Sequence, residues 1–183
     1  KKVEMLKDFN ISSFKKMKPA GDNTFDTMQE IKDLKKIPLN KKFVKEYDDI
    51  EAAFKKTAKE QGLDYDDKIA KNLIAKSAPV ILKLKKHFDR PRPKELAKKM
   101  NIKIKDIEMD SMKTASYPSG HTAQGILIAK VLGDKYPEAK SAFAKTGKNI
   151  SYSRNVARAH YKSDSKMGEK LANAMYKHIK NKI

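Results

Sequence analysis

At 183 residues the chain suits one domain, which at this size buries roughly 70% of the surface its unfolded form exposes and needs no covalent staples. Cysteine is absent, which excludes a disulfide framework and any thiolate metal site and leaves the redox compartment open. Lys and Arg number 42 against 23 Asp and Glu, a net +19 that attracts anions; most of it is lysine scattered over helical faces, and no basic stripe interleaved with aromatics supports specific nucleic-acid binding.

The opening, KKVEMLKDFNISSFKKM, is basic with no apolar stretch behind it and does not read as a signal peptide. The numbering starts at Lys1 rather than Met, so the compartment stays open: periplasmic if a leader has been removed, otherwise cytoplasmic. Residues 1–23 are expected to form a loose N-terminal segment, joined to the rest through Lys18 to Asn23. Phe25, Met28, Ile31 and Leu34 then make one helical stripe, and Phe43, Tyr47, Ile50, Phe54 and Ala58 a second. A longer pattern from Asp66 through Leu73, Ile81 and Leu84 to Phe88 ends at Arg90-Pro91-Arg92-Pro93, because proline disfavours helix at the residue before it. A short helix follows around Lys94 to Met100, and Ile102 to Met109 reads as a loop or short extended piece. Ser119 is placed to cap a helix stopped near Gly133, Pro137 to open the next, and Ser163 or Asp164 to start the last.

No internal repeat or linker divides the chain, and no alternating segment argues for a sheet. The expected fold is all-α, a helical bundle forming a single domain over 1–183. The apolar runs Ala78 to Leu82 and Gly125 to Ala129 fall far short of the roughly 20 residues that span a bilayer, so a soluble protein is expected.

Four histidines carry the chemistry that the sequence offers. His87 at a helix end and His178 in a polar helix are assigned surface or packing roles. His121 follows Pro118-Ser119-Gly120, where glycine allows close backbone approach and a helix start offers free N–H groups to an anion; the same four residues also read as a proline turn with a serine cap. His160 and Asp164 share a face if their segment is helical, and the carboxylate then fixes the imidazole tautomer, as a nucleophilic histidine requires; Asp164 also reads as a helix N-cap. Lys85, Arg92 and Arg154 singly read as solvated charges or helix-end cations.

Together, KKHFDRPRP (85–93), SYPSGHT (116–122) and SRNVARAHYKSD (153–164) follow the pattern K-x6-R-P, P-S-G-H, S-R-x5-H-x3-D. This pattern resembles the signature shared by class A bacterial acid phosphatases, type 2 phosphatidic acid phosphatases and vanadium-dependent haloperoxidases, with every signature position filled between 85 and 164. The resemblance implies a bundle of that type and a metal-independent phosphomonoesterase with a small phosphorylated substrate. His160 would attack phosphorus with Asp164 orienting it, and His121 would protonate the leaving oxygen. Lys85, Arg92, Ser119, Gly120 and Arg154 would hold the phosphoryl oxygens. No metal or other cofactor is implied, and vanadate is expected as inhibitor or phosphate mimic. Lys83 with Arg90-Pro91 fits K-x6-R-P equally; Lys85 with Arg92 is preferred because the soluble enzymes often carry an extra arginine two positions earlier. Two alternatives stand beside this reading: a vanadate-dependent haloperoxidase, although those enzymes are generally much larger, and a non-catalytic anion- or nucleic-acid-binding protein. A homodimer and a peripheral anionic surface are compatible partners.

Overall fold

The computed structural model describes residues 5–180, and every regular element among them is helical, with no strand. The α-helices are α1 (Phe25–Lys35), α2 (Lys41–Asp48), α3 (Ile50–Glu60), α4 (Lys68–Phe88), α5 (Pro93–Lys99), α6 (Gly120–Lys135), α7 (Lys140–Val156) and α8 (Lys162–Lys180). The all-α expectation holds. None of these helices is long and apolar enough to cross a membrane.

Helix α6 is the axis of the fold. Its Ala123, Leu127, Ile128 and Leu132 are wholly buried, and it packs against α4, α7 and α8. Its glycines lie at close contacts with α7: a Cβ on Gly125 would stand 3.0 Å from Ile150 Cγ2, and one on Gly133 3.1 Å from Lys140 Cγ. A Cβ on Gly147 of α7 would lie 2.9 Å from both the Ala129 Cβ and the Gly125 carbonyl oxygen, so α6 and α7 meet at backbone distance. Around this pair, α2 and α3 lie against α7, and α1 touches α5.

Several local expectations change in the structure. The single stripe from Phe43 to Ala58 is broken at Asp49, whose extended backbone (φ −88°, ψ 105°) and side chain, accepting from the Ala52 N–H at 3.0 Å, start α3. A capping aspartate overrides the continuous apolar periodicity there. Pro137 opens only a short 3-10 turn before α7 begins at Lys140, and α6 runs two residues past Gly133. Residues 102–109 have no regular structure, although Ile107 N–H reaches the Ala157 carbonyl at 3.0 Å.

The N-terminal segment is packed rather than loose over its described part. Leu6 and Phe14 enter the main core, the Tyr117 hydroxyl donates to Met17 O at 2.7 Å, and His87 Nε2 donates to Lys15 O at 3.2 Å. His178 lies 3.0 Å from Asp8 Oδ1. Residues 1–4 lie outside the described part.

The start of α8 crosses the start of α6 without room for a side chain. A Cβ on Gly168 would lie 2.8 Å from the Ser119 carbonyl and 3.0 Å from Thr122 Cβ. Gly to Ala inside a helix ordinarily stabilises by about 0.8–1.0 kcal/mol, whereas forced overpacking costs typically about 1–3 kcal/mol. Gly168→Ala is therefore expected to lower the Tm despite its better helix propensity; a Tm at or above that of the unmodified chain would contradict this packing.

Candidate active site

Two turns and two helix ends converge beside this crossing. Helix α7 stops at Val156, and residues 157–161 form a non-helical connection to α8, fixed by Ala159 N–H on Arg154 O (3.0 Å) and Asn155 Nδ2 on His160 O (3.1 Å). His160 therefore does not share a helical face with Asp164. Instead, Asp164 is the third residue of α8, and its Oδ2 reaches back to accept the Tyr161 N–H at 3.1 Å. That is the N3 half of a capping box rather than an N-cap.

The same Oδ2 accepts from His160 Nδ1 at 2.9 Å and from the Ser116 hydroxyl. A carboxylate accepts, so Nδ1 carries the imidazole proton and Nε2 keeps its lone pair. Nε2 faces Arg92 Nη1 at 2.9 Å. Behind Asp164 stands Arg90, whose Nη1 donates to Asp164 Oδ1 at 2.8 Å and whose Nη2 donates to Glu30 Oε2 at 3.1 Å. Arg90 lies over the Tyr161 ring at 3.8 Å, and Glu30 also accepts the Ser163 N–H at 3.0 Å. A chain of charges thus runs from α1 to the imidazole: Glu30, Arg90, Asp164, His160.

The cations come from three elements. Lys85, in the last turn of α4, is buried with Nζ donating to Ala115 O (2.9 Å) and Thr114 Oγ1 (3.1 Å), while Lys83 is exposed. Asp89 then ends α4 in the left-handed region (φ 48°), and the extended Arg92 sends its guanidinium to Thr114 O (2.9 Å), Ser111 O (3.0 Å) and His160. Arg154 comes from the last turn of α7 with Nη1 on Asp48 Oδ1 at 3.2 Å, and its Nη2 is buried without an acceptor. Among the described residues, neither Lys85 nor Arg92 has a carboxylate within ion-pair distance. Buried, unpaired cations and a buried free donor are costly unless an anion joins them.

The fourth part is the start of α6. Ser119 Oγ accepts the Thr122 N–H at 3.2 Å, and its own N–H donates to Asp164 O at 3.1 Å, which ties the two helix starts together. A Cβ on Gly120 would stand 3.7 Å from Lys85 Cε, so the bare backbone of the first helical residue lies beside that lysine. His121 Nε2 donates to the Asp48 carbonyl at 2.7 Å. All eight residues singled out in the sequence are thus in one neighbourhood. Asp48, Glu30, Ser111, Thr114 and Ser116 were missed, and Arg90 was seen only as a neighbour. The Asp48-Asp49 pair was the available signal for the first, as a helix stop followed by a cap. The described residues contain no group of three or more His, Asp or Glu able to hold a metal ion.

Burial dominates the protonation of this centre. It lowers His160 well below its ordinary range, with Arg92 and Lys85 adding to the effect, and lowers His121 to about 4, with Arg154 next. Burial also raises Asp164 to about 6 against the opposing pull of Arg90 and Ser116, and lowers Lys85 to about 7 with help from Arg92. Lys85 therefore sheds its proton in the free protein as pH rises through neutrality, and anion affinity should fall with it. Sulfate, whose own charge is constant in this range, is expected to bind more weakly above pH 7, approaching about one decade per pH unit for one linked proton. Calorimetry that finds a flat affinity from pH 6 to about pH 9 would rule out Lys85 as the titrating contact.

No family model matches the chain. Over 84 residues, 46% of its length, it is 39% identical to a protein named "Non-specific acid phosphatase" from Salmonella typhimurium strain LT2. The chain is similar to acid phosphatases. A protein of the same name from Salmonella typhi is 38% identical over 84 residues, and the matched stretch spans 33% of the length of each relative.

Proposed function

We propose that the chain is a phosphoric monoester hydrolase that works through a phosphohistidine on His160 and needs no metal. The observation that carries this reading is the pairing of His160 Nδ1 with Asp164 at 2.9 Å, which leaves Nε2 unprotonated against the Arg92 guanidinium. An unprotonated Nε2, whose lone pair accepts from Arg92 Nη1 until a phosphoryl oxygen draws that donor away, an acid that orients the ring, and two cations (Lys85 and Arg92) unpaired by carboxylates form the set that phosphoryl transfer uses.

In the first step the Nε2 lone pair attacks phosphorus and the bond to the ester oxygen breaks. That oxygen takes the proton of His121 Nε2, displacing the Asp48 carbonyl as its acceptor. Negative charge spread over the three equatorial oxygens is met by Lys85, Arg92, Arg154 Nη2, the Ser119 hydroxyl and the Gly120 N–H. In the second step His121 takes a proton from water, which attacks phosphorus and releases inorganic phosphate from Nε2. Burial is the main cause of the lowered His121 pKa, and Arg154 and Lys85 add to it; the phosphate dianion counters the share of the cations, so substrate binding shifts His121 toward the protonated form needed to start the cycle. Arg154 offers its unpartnered Nη2 and Arg92 the Nη1 arm that faces His160, while Lys85 acts as a point charge.

Hydrolysis of an aryl phosphate in the presence of a chelator tests this reading. Turnover that persists with chelator and is suppressed by vanadate is the expected result. Turnover abolished by chelator and restored by a divalent cation would overturn the metal-free mechanism, and no turnover would overturn the activity.

A further inference from the structure

Asp48 occupies the side of the site where an alcohol would depart. Its carbonyl accepts the His121 proton at 2.7 Å, the proton that the leaving oxygen takes in the proposed reaction. Its carboxylate Oδ1 stands 3.7 Å from the same Nε2 and 3.2 Å from Arg154 Nη1. The side chain is 45% exposed, whereas those of Arg154, His160 and Asp164 are at most 4% exposed. Of the charged groups at the reacting centre, this carboxylate is the one that opens to solvent. It is held there by backbone, because α2 ends at Asp48 and Asp49 immediately caps α3.

We infer that Asp48 is the specificity-determining residue for the leaving group, disfavouring esters of anionic alcohols and favouring those of neutral or cationic ones. This inference rests on the phosphatase reading and extends it to a substrate class. The phosphoryl group is met by Lys85, Arg92 and Arg154 whatever alcohol it carries, and what remains of their charge acts on the alcohol alike in the unmodified chain and in Asp48→Asn. The part of the substrate beyond the ester oxygen leaves past His121 and meets the Asp48 carboxylate at close range. A carboxylate there repels a second anion, and attracts a cation, by enough for about a tenfold difference between the two at a partly solvated site. Salt weakens the effect as it screens exposed charge.

Phosphocholine and phosphoglycolate form the test pair, having the same phosphoryl group and leaving alcohols of opposite charge. The ratio of their kcat/KM values is measured for the unmodified chain and for Asp48→Asn, which keeps the backbone carbonyl on His121 and the side-chain shape. The expected ratio favours phosphocholine by about tenfold or more, shrinks with added salt and collapses toward unity in Asp48→Asn. Any uniform loss from the Arg154 contact cancels in the ratio. Binding of the same two esters by calorimetry runs alongside. Preferential binding without turnover would overturn the phosphatase reading alone. A ratio near unity in the unmodified chain, or a preference that survives Asp48→Asn, would overturn the role of Asp48, and failure to bind either ester would overturn both.

Discussion

His160→Ala is expected to lower kcat/KM for an aryl phosphate by roughly a thousandfold or more, as removal of a covalent nucleophile does. The loss should fall on chemistry and not on folding. Asp164 keeps Arg90, Ser116 and the Tyr161 N–H after the ring is gone, so its charge remains satisfied. His121→Ala is expected to be milder, about a hundredfold to ten-thousandfold, because a general acid is lost while the nucleophile remains. Activity of His160→Ala within tenfold of the unmodified chain, at equal Tm, would remove the imidazole from the mechanism.

The second large effect is on stability and originates outside the signature residues. Arg90 is 2% exposed and bridges Asp164, which is wholly buried, to Glu30. Removing one partner of a buried ion pair costs roughly 3–5 kcal/mol, because the other charge is left in a poor solvent. Arg90→Ala should therefore lower the Tm by about 2–4 °C per kcal/mol for a chain of this size. It should also loosen Asp164 and with it the His160 tautomer, so activity falls further than the folded fraction does. Arg90→Lys keeps the charge but cannot reach both carboxylates with separate arms, and an intermediate Tm is expected. A thermal scan of Arg90→Ala that overlays the unmodified protein would show the bridge to be dispensable.

The helical class was readable because α4, α6 and α8 each carry an apolar period that continues for many residues. The break between α2 and α3 was not, since Asp49 interrupts a stripe whose apolar spacing runs straight through it. That one-residue break places Asp48 at the site, so a missed helix boundary became a missed functional residue. The N-terminal segment looked loose because its apolar residues Met5, Leu6, Phe9, Ile11 and Phe14 keep no sustained helical or strand period, yet Leu6 and Phe14 find the core and the other three pack against it. Of the candidate site, the order and spacing of three short stretches named the groups that converge. Glu30 was invisible for the opposite reason: an acidic residue in a helix that also carries Asp26, Lys32, Asp33 and Lys35 reads as solvated surface until Arg90 is seen to reach it. The choice between Lys83 and Lys85 rested on pattern in the sequence and on burial in the structure, where Lys85 faces Thr114 and Ala115 and Lys83 faces solvent.

The central claim is a covalent bond between phosphorus and His160 Nε2. A single turnover of radiolabelled aryl phosphate, quenched into alkali where phosphohistidine survives, followed by peptide mapping, tests it directly. The predicted result is label on the peptide carrying His160, absent in His160→Ala and accumulating in His121→Ala because water is no longer activated. Turnover with no label on the protein, or label retained in His160→Ala, would contradict it.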